Sequence, residues 1–471
     1  MYAPATTEKK YLKWYQKLAY GSGDLASNCS YGLVSSFVLL YLTGTLGLDS
    51  AIIGSLMLAS KVLDGISDVI FGTLIDRTHS KLGKARPWML FGQVGVSLCL
   101  FLLFAIPAGS TTMQYIYFFI VYTALNAVFY TANGIAYSSL VALITKNNNE
   151  RVQLGSFRFM FAVITNIFMG FAVTGMVEKF GSGAAGWRTT ALIFAIVGLV
   201  VNTISCLAVK ELPEEELSGN TSEAAEEGKA VAKEKKHGFA ETAKILVHNK
   251  YYLMILAIYI VYYIMSNLTT GAGVFCATYY WGDGSLLGQF SMMKMFPVII
   301  ALAIAPVLIK KTGSMQKVNF WGYAISSVLG IPMIYFAMQK NISMFLLFMF
   351  IKGIFAGTLS GSLNALIAEA SGYTTRTTGV HMDGMMYSCS SLGVKVGGGI
   401  GTAAVGWLLK LGGFVGTATV QSESAIKMIF NLYITFPFIL GIVITVLLAF
   451  LDVEKANKKW DADHAQKEAQ A

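Results

Sequence analysis

The stretch KVLDGISDVIFGTLIDRTHSKLGKARPW, residues 61–88, is largely apolar at first, carries two aspartates inside that run, and then breaks into basic residues. Lys and Arg near helix ends hold short loops on the cytoplasmic side, so the run followed by Arg77, Lys81, Lys84 and Arg86 reads as a membrane span entering a cytoplasmic loop. An ionisable side chain inside a span costs at least ~2.5–3.5 kcal/mol on insertion scales. Asp64 and Asp68 therefore imply a cavity, a partner or a transported ion.

The remainder of the chain has the same character. Of 471 residues, 55% are hydrophobic and 13% charged, and the mean hydropathy is +0.59, a membrane composition. At about 20 apolar residues per crossing, the runs between polar breaks give twelve spans, from 18–46 and 51–76 through to 426–451. Basic residues recur at Lys310, Lys311 and Lys317 and at Lys455, Lys458 and Lys459, whereas GTLGLDS and PAGSTTMQ on the other side have none, which places both termini in the cytoplasm. The opening MYAPATTEKKYLKWYQK has no short apolar core with a cleavage site and reads as a retained segment.

The Glu and Lys blocks of KELPEEELSGNTSEAAEEGKAVAKEKKHGFAETAK mark a solvated linker at the middle of the chain. The basic connection after the second span, GTLIDRTHSKLGKARP, has a basic counterpart after the eighth, APVLIKKTGSMQK, a faint internal echo. The expected fold is an all-α integral membrane protein of twelve transmembrane helices in two pseudo-symmetric six-helix bundles. Its divisions are a cytoplasmic segment 1–17, a bundle 18–209, a linker 210–247, a bundle 248–452 and a tail 453–471.

Asp64 and Asp68, four residues apart, share one helical face and repel each other. Something positive belongs between them: a metal cation held by oxygens, a proton, or a basic side chain from another helix. Ser67 adds a hydroxyl nearby. The other charges expected inside spans are Asp24 in AYGSGDLASN, Arg158 in GSFRFMFA, Lys294 in FSMMKMFPVII and Lys395 in LGVKVGGG, with all remaining strong charges in loops or at span ends. Plainer readings stand beside these: the carboxylates pair with cations to hold helices together, the small residues around Asp24 form a packing seam, and Lys294 snorkels to the interface rather than meeting an anionic substrate group.

The five cysteines stand singly, with no metal-ligand spacing, and read as small buried hydrophobes. The five histidines lie in loops, at span ends or in the tail, and no HExxH is present, so an enzyme is not expected, nor a cofactor beyond a coupling cation. The net charge of +9 is a topology signal, and no basic domain with interleaved aromatics suggests nucleic acid.

The segments GDLASN and KVLDGISDVIFGTLIDRTHSKLGKARPWMLFG, with Arg158 and VKVGGG, resemble the glycoside-pentoside-hexuronide:cation symporters of the major facilitator superfamily, the melibiose carrier among them. The resemblance covers nearly the whole chain. It implies a two-bundle symporter in which a sugar crosses a bacterial cytoplasmic membrane with H+, Na+ or Li+, as a functional monomer. By the same resemblance Asp64 and Asp68 hold the cation (Na+, if coupling is to sodium) with Thr131, Asp24 and Arg158 bind sugar, and Lys395 lies close to the cation site. The chain departs from the family's sugar contacts in the fourth span, where an aspartate and a tryptophan fall on Gly134 and Ser138, leaving Asn133 and Tyr137 as the neighbouring candidates. A tryptophan of the tenth span is replaced at or near Ser360. The sugar stays open, and a related fold carrying an amphiphile such as a lysolipid past Tyr262, Tyr263, Tyr279 and Tyr280 is the alternative.

Overall fold

A computed structural model describes residues 9–213, 245–379, 383–418 and 420–468, so most of the expected linker, with the chain ends, lies outside the described residues. The chain divides into two compact units, Met1–Lys229 with Val415–Val420, and Ala230–Phe414 with Gln421–Ala471.

Helices of the first unit are α1 (Trp14–Gly21), α2 (Gly23–Leu40), α3 (Ser50–Asp76), α4 (Arg86–Leu103), α5 (Thr111–Thr123), α6 (Thr131–Ile144), α7 (Asn148–Lys179) and α8 (Gly183–Leu207). Those of the second are α9 (Lys250–Phe275), α10 (Leu286–Thr312), α11 (Met315–Met338), α12 (Ile342–Thr378), α13 (Asp383–Leu411), α14 (Glu423–Phe430), α15 (Phe436–Phe450) and α16 (Val453–Glu468). Four π-helical segments join some of them: Tyr41–Thr45, Ala124–Tyr130, Cys276–Tyr280 and Asn431–Thr435.

Among the described residues, eleven helical stretches are long and apolar enough to cross a membrane. The twelfth expected span is α3, whose 27 residues reach about 40 Å at ~1.5 Å per residue, enough for a bilayer core of ~30 Å. Its charges, Lys61, Asp64, Asp68 and Asp76, set it apart from the others. Val62, Ile66 and Ile70 form an exposed apolar stripe on the opposite side of α3 from Lys61, Asp64 and Asp68. Similar stripes at Leu192, Ile196, Val200 and Ile204 on α8 and at Val328, Ile331 and Tyr335 on α11 are what lipid-facing helices present and what water would penalise.

Short polar residues set the helix starts. Asp49 accepts from the Ala51 and Ile52 amides at α3, Asn147 from Glu150 at α7, Asn249 from Tyr251 and Tyr252 at α9, and Asn341 from Met344 at α12. Gly313 and Gly379, both at positive φ, end α10 and α12.

The echo between the two halves is structural. Each half's first span ends in a π turn, Tyr41–Thr45 and Cys276–Tyr280, closed by Leu48 N to Leu42 O and by Asp283 N to Ala277 O, both 3.0 Å. Each basic loop then receives a glutamate from late in its own half, one from just beyond α8 and the other from the first turn of α16. Glu211 accepts from the Lys84, Ala85 and Arg86 amides at 2.7, 2.9 and 3.0 Å, and Glu454 accepts from Ser314 Oγ and from the Gln316 amide at 3.0 Å. A carboxylate on the free amides of a helix start satisfies donors that have no intrahelical partner and favours the positive end of the helix dipole. Gly83 is the position this requires, since a Cβ there would lie 2.3 Å from Glu211 Cδ.

Candidate functional site

The polar patch around Asp24 is built by two glycines. A Cβ on Gly21 would meet Phe157 Cβ at 2.6 Å, and one on Gly23 would meet Tyr137 Cε2 at 2.7 Å and Ser205 Oγ at 2.8 Å, so only glycine lets α1 and α2 lie this close to α6, α7 and α8. The approach brings Asp24 to Arg158, whose Nε donates to Asp24 Oδ2 at 2.6 Å. The guanidinium carbon lies 4.2 Å from the centre of the Tyr137 ring, so Arg158 is fixed by a carboxylate and an aromatic face together.

Tyr137 is itself immobilised. Its hydroxyl donates to the Tyr20 carbonyl at 2.8 Å and lies 3.5 Å from Asp24 Oδ2, while the Tyr20 hydroxyl donates to the Tyr137 carbonyl at 2.5 Å. One turn along α2, Asn28 accepts from Asn166 Nδ2 at 2.9 Å and donates to the Asp24 carbonyl at 2.7 Å. Asn133 sits elsewhere. It is buried between α4 and α6, where its Nδ2 donates to Gln93 Oε1 at 2.9 Å, and it braces those helices.

The second cluster centres on α3. Thr131 Oγ1 lies 2.7 Å from Asp64 Oδ1 and 2.9 Å from the Asn126 carbonyl, at the point where the π-helical Ala124–Tyr130 passes into α6. Such π segments frequently mark functional positions, because the wide turn re-aims the side chains around it. Ser67 donates to the Asp64 carbonyl at 2.9 Å, and Asp68 is half-buried further along α3.

The positive group required beside Asp64 comes from the same helix. Lys61 Nζ stands 3.5 Å from Asp64 Oδ2 and 5.9 Å from the centre of the Tyr31 ring, which stacks on Tyr130 at 5.5 Å. This corrects the expectation that strong charges other than the six named sit in loops or at span ends: Lys61 lies deep within α3 and Lys352 within α12. Their spacing and flanks were the available signals, Lys61 at three residues before Asp64 and Lys352 between apolar runs on both sides.

In the second unit, Lys294 Nζ donates to Thr270 Oγ1 at 3.1 Å and faces a cavity of about 180 Å3. Lys395 lies on α13 on the face away from the glycine stripe 393, 397 and 401, where a Cβ would come within 2.4 Å of Tyr259 Cβ, 2.5 Å of the Ile260 carbonyl and 2.6 Å of the Ile264 carbonyl. The stripe packs α13 backbone against α9.

Carboxylates and cations are thus held inside apolar helices of the first unit, and cations inside those of the second. The sequence family described as "MFS/sugar transport protein" matches residues 19–455. The chain belongs to this family. It is 26% identical over 466 residues to the isoprimeverose transporter of Lactiplantibacillus pentosus, covering 98% of this chain and 93% of that one. It is 25% identical over 426 residues to the inner membrane symporter YicJ of Escherichia coli K12, covering 90% and 88%. Among solved structures it resembles a D-xylose-proton symporter with a TM-score of 0.63 at 13% identity, over 92% of this chain and 97% of that one, which shows the fold. Family and neighbours are transporters, and the lysolipid alternative finds no support among them.

Proposed function

We propose that this protein is a secondary transporter that imports a glycoside, pentoside or hexuronide across a bacterial cytoplasmic membrane together with a proton, by alternating access. The sugar reading rests on family membership and on similarity to the isoprimeverose transporter. The observation that carries the proton is at Thr131. Its hydroxyl has a single hydrogen, yet two acceptors stand within reach, Asp64 Oδ1 at 2.7 Å and the Asn126 carbonyl at 2.9 Å. A proton on Asp64 completes the chain: Asp64 donates to Thr131, and Thr131 donates to Asn126.

In this reading Asp64 and Asp68, with Ser67 and Thr131 beside them, take up and release the coupling ion. Asp24 and Arg158, seated on Tyr137, meet the sugar hydroxyls, and Lys395 links the second unit to the ion's state. Coupling is the differential affinity of the carrier for sugar with Asp64 protonated or ionised, and by linkage the sugar raises proton affinity equally. The test is uptake of radiolabelled glycosides, pentosides and glucuronides by cells expressing the protein, with and without Na+ and with a protonophore. One sugar class should accumulate, insensitive to Na+ and abolished by the protonophore. Accumulation that needs Na+ overturns the proton assignment, and no uptake under any gradient overturns the sugar reading.

A further inference from the structure

The cavity of the second unit is lined by α9, α10, α11, α12 and α15 with the π segment before α15, and its volume of about 180 Å3 is many times the ~10–15 Å3 that one water needs. Among the described residues, two lysines line it, Lys294 from α10 and Lys352 from α12, and no carboxylate does. Lys294 has one bond, to Thr270 Oγ1, whose own proton goes to the Ser266 carbonyl at 2.8 Å. Among the described residues Lys352 has no hydrogen-bond or ion-pair partner.

The two cations are brought to one cavity by close helix packing. A Cβ on Gly353 would lie 2.8 Å from Pro297 Cβ and 3.6 Å from the Met293 carbonyl, and one on Gly357 would lie 2.7 Å from Ala301 Cβ. With no side chain at 353 or 357, α12 settles against α10, and the residues next to this contact, Lys352 and Lys294, line the same cavity. Each ammonium has three donors, and one of the six is used. Two like charges in a largely apolar space destabilise the helix pair, unless an anion is meant to enter between them.

Resting on the sugar-transport reading, we infer that this cavity is a subsite for the negatively charged group of the substrate, and that Lys294 and Lys352 select a sugar bearing a single carboxylate over its neutral counterpart. Sugar chemistry fits the remainder of the wall. Tyr262 and Ser360 share a hydrogen bond of 2.7 Å, Ser326 and Ser327 add further hydroxyls, and Tyr323 and Tyr433 add aromatic rings to the lining. A carboxylate accepting from both ammonium groups forms charge-assisted bonds of the strong class, whereas a neutral sugar leaves both cations unpaired.

Equilibrium binding to the purified full-length protein tests this, with glucuronate and methyl glucuronide compared against methyl glucoside in chloride and in chloride-free buffer. Because the readout is binding, it decides the subsite whether or not sugar moves with a cation. The expected result is a preference for the glucuronide of about tenfold or more, collapsing towards parity in Lys352→Gln and Lys294→Gln and surviving in Lys352→Arg and Lys294→Arg. The charge-retaining pair separates loss of the cation from loss of fold. Equal affinity for charged and neutral sugars in the unaltered protein overturns the inference. So does a preference that persists when both lysines are glutamine, or one present only without chloride and absent at physiological chloride, which would make the cavity a halide site.

Discussion

Neutralising the Asp24–Arg158 pair singly and together separates its structural role from its proposed sugar-binding role. Arg158 Nε stands 2.6 Å from Asp24 Oδ2, and the two side chains are 26% and 18% exposed, so neither is fully solvated and neither is fully dry. Two unit charges about 4 Å apart attract by roughly 4 kcal/mol at an effective dielectric of ~20. Partial exposure and the cost of desolvating both groups reduce the net coupling to about 2–3 kcal/mol. Arg158→Met leaves Asp24 with the distant Tyr137 hydroxyl, and Asp24→Asn leaves a cation over the Tyr137 ring without its carboxylate.

Each single variant should therefore lower the unfolding temperature by about 5–10 °C, at ~2–4 °C per kcal/mol for a unit of this size. The double variant should recover most of that loss, because no uncompensated charge remains. Thermal unfolding of the four proteins in detergent, with sugar binding measured on each, is the assay. Binding should be lost in all three variants, including the restabilised one. A double variant whose destabilisation equals the sum of the single effects would refute the pairing, and sugar binding that returns with stability would refute the substrate role.

Thr131→Val removes the hydroxyl between Asp64 and the Asn126 carbonyl; a lost charge-assisted bond of about 1.5–3 kcal/mol should shift the proton dependence of uptake by roughly 10- to 100-fold, read as initial rate against external pH. Glu211→Gln weakens the acceptor of three amides and should lower stability by about 1–3 kcal/mol, with Glu454→Gln acting likewise on the second unit, both read from thermal unfolding. Gly397→Val places a side chain 2.5 Å from the Ile260 carbonyl and should cost about 1–3 kcal/mol through overpacking, with transport reduced, while Gly134→Ala, in open space, should be silent in both measurements.

The spanning helices were legible because apolar runs of membrane length leave few other structures open to them, and α3 was legible in spite of its charges because an apolar stripe accompanies them. Asp24, Asp64, Asp68, Arg158 and Lys294 stood out for the same reason in reverse, each a charge in an apolar run. Which of them meet was beyond the pattern of residues, since Asp24 and Arg158 are 134 positions apart and joined by an approach that depends on Gly21 and Gly23. Lys61 is hard to read from sequence although its spacing to Asp64 puts it on the same face, because a long aliphatic stem lets a cation sit among apolar neighbours. The glutamate latches were not legible at all, for their partners are mostly backbone amides more than a hundred residues away, and an amide carries no sequence signature.

The most direct test of proton-coupled sugar transport is a pH electrode in a lightly buffered suspension of de-energised cells expressing the protein, to which the transported sugar is added. The account predicts that the medium turns alkaline as sugar enters down its gradient, and that Asp64→Asn abolishes the signal while still binding sugar. Sugar entry with no alkalinisation, or alkalinisation that persists undiminished in Asp64→Asn, would contradict it.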